Sequence, residues 1–180
     1  MTQVLLLSGH AEFGKTSTAN ILKRYFEKNN KKVCIIPYAK YLKFIAKEYF
    51  NWDGNKDIKG RDLLIDLGTN IVRSKNKNFW VDAVINFFEV FNDFFDVFII
   101  DDCRYPNEIE EWNNHNIPVV TVRIIRKNFE SCLTQEQKNS ISETSLDNYN
   151  FDYVIESESG LDKLEIEVKR FISEYFNMEA

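Results

Sequence analysis

The segment Gly9–Thr16, GHAEFGKT, constrains this chain more than any other stretch. It reads G-x-x-x-x-G-K-T. Before it stands a short apolar run, QVLLLSG. After it, Ala19, Leu22 and Phe26 recur at helical spacing. An apolar run closed by glycine suits a strand buried on both faces. A loop that leaves such a strand and opens a helix aims several backbone N–H groups into one concavity, and the helix adds its positive dipole end. Gly9 and Gly14 supply the conformational freedom this needs. Lys15 reaches the outer phosphates of a triphosphate, and the Thr16 hydroxyl can ligate Mg²⁺. An acid beside a phosphate is unusual, so His10 and Glu12 have two readings. Either both side chains point to solvent, or Glu12 faces a second substrate or the metal shell.

The rest of the chain alternates between two periods. KVCIIPYA, DVFIIDDCR, PVVTVRIIR and DYVIES read as further strands. YLKFIAKEYFNW, RDLLIDLGTNIVRS, NFWVDAVINFFEVFNDF, NEIEEWNNHN and GLDKLEIEVKRFISEYF read as helices. Five strands alternating with helices imply an α/β fold with a parallel sheet covered on both faces. The 180 residues suit one domain, with no repeat, linker or internal boundary. A net charge of −5 argues against a general nucleic-acid binder. No apolar run reaches membrane-spanning length. Cys34, Cys103 and Cys132 are scattered without metal-ligand spacing, and with no secretory signal they point to reduced thiols in a cytoplasm.

A second carboxylate cluster closes VFIIDD. Asp101 and Asp102 stand at the carboxyl end of a parallel strand, where such sheets bind ligands. Beside a phosphate loop, an acid there holds Mg²⁺ or polarises an attacking group, and Asp102 is placed ahead of Asp101 for this role. The bland alternative is an acid that caps the next helix. Arg104 follows and can clamp a phosphate. Arg61 opens a helical pattern, where a cation is unfavourable, which points to an anion. Arg73 either complements a helix dipole or binds substrate. Trp80 and Phe79 are core or a stacking surface. Lys43 is solvated or faces a ligand. Glu143 either closes a capping box from Ser140 or belongs to the site. The polar stretch from Lys127 to about Asn150 is flanked by Arg123 and Arg126, and Arg126 is the first choice for a cation brought to the transferring phosphoryl. The run NFFEVFNDFFDVF reads as core or as the face of a homodimer.

Five stretches, in order, resemble the deoxynucleoside monophosphate kinases of phages and bacteria. They are SGHAEFGKTSTA, YAKYLKFIAKEYFNWDG, GRDLLIDLGTNIVRSKNKNFWVDAV, FIIDDCRYPNEIEEWNNHNIPVVTVRIIR and SETSLDNYNFDYVIES. The last looks equally like the matching stretch of animal-type phosphomevalonate kinases. The resemblance implies a three-layer P-loop kinase fold, a lid near residues 127–145, and transfer of the γ-phosphoryl of ATP to a deoxynucleoside monophosphate with Mg²⁺. By position it assigns Gly9, Gly14, Lys15 and Thr16 to the ATP phosphates and metal. Glu12, Phe13 and Ser17 belong to the same loop. Arg61, Gly68, Thr69 and Arg73 line the acceptor side, with Lys43, Trp80 and Glu143 grouped there. Asp102 and Arg104 are the family's D-x-R pair. Together with Lys15 and Arg126 they form the catalytic set, and Thr16 and Asp102 the metal set. Three features depart from the family. Thr16 stands where Asp is common, an insertion between Trp52 and Arg61 is missing, and Lys40 and Tyr41 replace the usual residues. A phosphomevalonate-like kinase and a nucleotide sensor without phosphoryl transfer are the competing readings.

Overall fold

Strands Gln3–Ser8 (β1), Val33–Ile35 (β2), Val97–Cys103 (β3), Val119–Arg126 (β4) and Tyr153–Ser157 (β5) pair into one parallel sheet of order β2-β3-β1-β4-β5 in the computed structural model, which describes residues 2–178. The helices are Lys15–Lys28 (α1), Ala39–Tyr49 (α2), Ile58–Ile65 (α3), Phe79–Phe91 (α4), Asn107–Asn114 (α5), Gln135–Lys138 (α6), Ile141–Thr144 (α7) and Leu161–Phe176 (α8). A π-helix, Asp66–Arg73, continues α3.

Strand alternation splits the core in two, because successive side chains leave a strand on opposite faces. Leu5, Leu7, Val97 and Ile99 pack with Leu22 and Phe26 of α1 and with Val168 and Phe171 of α8. Val4, Leu6, Phe98 and Ile100 pack on the other face with Val84 and Phe88 of α4 and with Ile109 and Trp112 of α5. The result is the expected three-layer α/β arrangement. A third, small cluster of Ala46, Trp52 and Leu67 joins α2 to the π-helix.

Two details depart from the sequence expectation. The segment from Arg61 to Ser74 is not one regular helix, because from Asp66 it winds as a π-helix. Such turns leave backbone groups free for other partners and often mark functional sites. Here the Gly68 carbonyl accepts the Trp80 indole N–H at 3.1 Å. A Cβ on Gly68 would come within 2.8 Å of Leu42 Cδ2, so glycine is what lets the π-helix approach α2. The aromatic run also divides. Phe88 is buried against Phe98 and Trp112, while Phe91 and Phe94 stay exposed. Among the described residues no helix is long and apolar enough to cross a membrane.

One buried polar chain ties the layers at the site end of the sheet. The Trp112 indole donates to the Tyr38 hydroxyl at 2.7 Å, and that hydroxyl donates to the Glu108 carbonyl at 2.8 Å. Tyr38→Phe leaves the buried Trp112 N–H without an acceptor in a dry environment. The expected cost is about 1–3 kcal/mol. It is measured as a lower urea midpoint at unchanged slope.

Candidate active site

The loop after β1 has the shape its glycines allow. Gly9 has φ 146, and a Cβ there would lie 2.5 Å from the Ile124 carbonyl oxygen of β4. Gly14, at φ 94, caps the start of α1, and Ser17 lies in its first turn. Glu12 takes φ 67, a left-handed conformation that is costly for a residue with a Cβ. The Lys15 ammonium bends back over the loop and donates to the carbonyls of Gly9 and His10, at 2.7 and 2.8 Å. Burial, and then the nearby Arg104, push its pKa down to about 7. A phosphate in the concavity would restore the charge by supplying the missing anion. The Thr16 hydroxyl donates to Asp101 Oδ2 at 2.6 Å.

That last contact bears on the sequence expectation, which placed Asp102 ahead of Asp101 for the metal. Asp101, not Asp102, stands beside Thr16. The two acids fall where the pairing of β1 with β3 is irregular, since Leu6 faces Ile100 but Ser8 faces Cys103, and their side chains take different partners. Asp102 accepts the backbone N–H groups of Tyr38 and Ala39 at the start of α2, at 2.7 and 2.9 Å. Burial and the adjacent Asp101 raise its pKa.

Next to the loop lies a cavity of about 220 Å³, walled by α2, α3, the π-helix and the segment 133–143. Lys43, Arg61, Gly68, Thr69, Arg73, Trp80, Asp102, Arg104 and Glu143, all singled out from sequence, line this one space. Five cations converge there: Lys43, Lys56, Arg61, Arg73 and Arg104. Burial, and then Lys43 and Arg61, lower the Lys56 pKa, as expected where positive charge is gathered without enough acid. The Arg73 guanidinium lies 4.0 Å from the centre of the Tyr105 ring, and the Tyr105 hydroxyl meets Thr69 Oγ1 at 2.9 Å. Trp80 is only 3% exposed, which favours core over a stacking surface for this residue. It is core, forming part of the cavity wall, and the neighbouring Phe79 is the exposed ring.

Glu143 joins cavity and loop. Its Oε1 accepts from Arg104 Nη1 at 2.5 Å and its Oε2 from the Ala11 amide at 2.7 Å. No capping bond forms between Ser140 and this acid, since the Ser140 side chain caps nothing. The carboxylate therefore occupies a loop N–H as an anion would. Glu12 is exposed, but its carboxylate is engaged. It accepts from Arg61 Nη2 at 3.0 Å and from the amide and thiol of Cys132, which hold its pKa below the usual carboxylate range. His10 Nε2 lies 3.0 Å from Asp147, which also accepts from Arg123. Arg126 stays outside the cavity. It lies 3.8 Å from the Phe129 ring centre and donates to the Glu12 carbonyl at the loop. The Phe13 ring packs between His10 and Phe129.

Three cavity residues carried no signal that sequence reasoning used. Lys56 sits in a polar turn, Tyr105 precedes a proline, and Glu108 reads as an ordinary acid in the first turn of α5. Among the described residues no cluster of three or more His, Cys, Asp or Glu side chains could hold a metal by itself. The pair Thr16–Asp101 suits Mg²⁺ instead, which keeps most of its shell as water and substrate phosphate.

Among solved structures the chain resembles three kinases. They are an APS kinase from Mycobacterium tuberculosis (10% identity, 96% of this chain and 97% of that one, TM-score 0.46), a shikimate kinase from Bacteroides thetaiotaomicron (16%, 98% and 99%, 0.47) and a thymidylate kinase from Ehrlichia chaffeensis (13%, 95% and 98%, 0.48). Likenesses this distant say nothing about substrate. No curated protein matches the chain in sequence. A family profile does match, over residues 4–168, which take in the phosphate loop, every residue lining the cavity and the first half of α8. The chain belongs to the deoxynucleotide monophosphate kinase family.

Proposed function

We propose that ATP lies on the loop 9–17 and that the acceptor, a deoxynucleoside monophosphate, occupies the cavity of Arg61, Arg73 and Arg104. The family's reaction is ATP-dependent phosphorylation of such a monophosphate to the diphosphate. The carrying observation is the contiguity of the two sites. Arg104 lines the cavity, stands near enough to Lys15 to depress its pKa, and is joined through Glu143 to the Ala11 amide.

In this reading an oxygen of the acceptor phosphate attacks the γ-phosphorus in line, the bond to the β,γ-bridging oxygen breaks, and ADP leaves. A phosphate nucleophile needs no strong base. Catalysis therefore rests on positioning and on charge neutralisation by Lys15 and the arginines. Thr16 and Asp101 would hold Mg²⁺, which when bound shields the negative charge of the β- and γ-phosphates. Residues 127–145 act as the lid. The Asp62–Gln137 bond of 2.9 Å and the contacts of Glu12 with Cys132 tie it to α3 and the loop, and Arg126 at its root guards the mouth. Closing this segment keeps water from the transferring phosphoryl. The three free thiols suit a reducing, ATP-containing compartment such as the cytoplasm.

A panel of acceptors with ATP and Mg²⁺ tests the reading. Turnover of at least one deoxynucleoside monophosphate, and none of phosphomevalonate, is expected, and the reverse result overturns it. Lys15→Ala should lower kcat by about 10²-fold or more, as loss of a charge aimed at the transition state does. The two acids separate in a magnesium titration. Asp101→Asn is expected to raise the Mg²⁺ concentration for half-maximal rate about tenfold. Asp102→Asn should leave that concentration alone and lower the thermal midpoint through the α2 terminus.

A further inference from the structure

The reaction as described leaves one buried charge in the cavity wall without a task. The Glu108 side chain is 1% exposed, yet it lines the cavity. One of its oxygens pairs with Arg73 Nη2. The other accepts the backbone N–H groups of Arg104 at 2.6 Å and Tyr105 at 3.1 Å. Burial pushes its pKa up to about 7, with Arg73 pulling the other way. A helix start does not need so deep a carboxylate, since a short, exposed capping side chain serves it at less desolvation cost.

What the carboxylate does hold is Arg73. The guanidinium is fixed on three sides: by Glu108, by the Tyr105 ring, and by the Lys77 carbonyl at 3.1 Å. An arginine clamped in this way has little rotamer freedom left to lose when an anion arrives, and its remaining N–H groups keep one direction. Tyr105 is itself held by Thr69 from the π-helix, so the clamp ties that helix to the start of α5.

We propose that Glu108 is a positioning residue for the acceptor: through its ion pair it holds Arg73 at the cavity wall in the orientation that receives the acceptor's phosphate. This rests on the cavity being the acceptor site. Glu108→Gln keeps an oxygen for the two amides and turns an NH2 toward Arg73, removing both the charge and the acceptor of the ion pair. The expected result is a rise of about tenfold or more in the KM for the monophosphate, as misplacement of a substrate-positioning group produces. The KM for ATP should change by less than about twofold, a margin set by the independence of separate sites. Arg73→Ala should shift the same parameter, and the double variant E108Q/R73A should be no worse than R73A alone, because the carboxylate acts only through the arginine. Tyr105→Leu, at a partly exposed position, removes the stacking face without touching the buried charge. It should raise the same KM, and it decides the matter if E108Q does not fold. An unchanged acceptor KM in folded E108Q or in Tyr105→Leu overturns the proposal, as do additive effects in the double variant or equal shifts in both KM values. If any of these occurs while the unaltered protein phosphorylates a monophosphate, the positioning role alone fails. If the unaltered protein phosphorylates none, the reading of the cavity fails with it.

Discussion

Strand β1 is hydrogen-bonded on both sides, to β3 and to β4, and the chemistry of the molecule hangs from its carboxyl end. A strand in that position cannot shift without breaking two ladders, so the loop that leaves it has a fixed root. Ile124 of β4 presses against Gly9 from one side. Asp101 of β3 holds Thr16 from the other. The loop is thus shaped by its neighbours in the sheet as much as by its own glycines, and Glu12 is held in a conformation that an isolated peptide would avoid.

The second constraint is charge. A chain of net charge −5 handles two anionic substrates, so it must concentrate its cations locally. Five of them surround one cavity, and carboxylates occupy their open sides. Glu12 takes Arg61, Glu143 takes Arg104, and Glu108 takes Arg73. The third pair differs from the other two in burial. Glu12 lies on the phosphate loop and Glu143 on α7, while Glu108 is buried in the wall and also accepts two backbone amides.

Much of this was legible in the chain. The order of strands and helices followed from the change between periods of two and 3.6, and the phosphate loop from its spacing. Nine residues chosen from the sequence converge on the cavity. Other points were left open by the sequence. Trp80 and Phe79 read as core or a stacking surface because their helix is apolar on most sides, so periodicity could not say which ring was buried. The π-helical winding at Asp66–Arg73 has no local signature, and it sets Gly68 close to Leu42, 26 residues away in number and near only in space. Glu108 was passed over because an acid in a helix's first turn is ordinary, and only the fold brings Arg73 to it.

The sequence by itself determined that a triphosphate-binding loop stands between a buried strand and a helix, since glycines, lysine and threonine at that spacing leave little else for the backbone to do. It also determined the layered α/β class, because alternating periods permit few other packings. The tertiary structure alone decided which of two adjacent acids serves the loop. Asp101 and Asp102 are chemically identical and neighbours in sequence, and they part company at an irregularity in the pairing of β1 with β3, where one meets Thr16 and the other the start of α2. Which face carries α1 and which carries α2 is set by the handedness and order of the connections, and no local pattern records it.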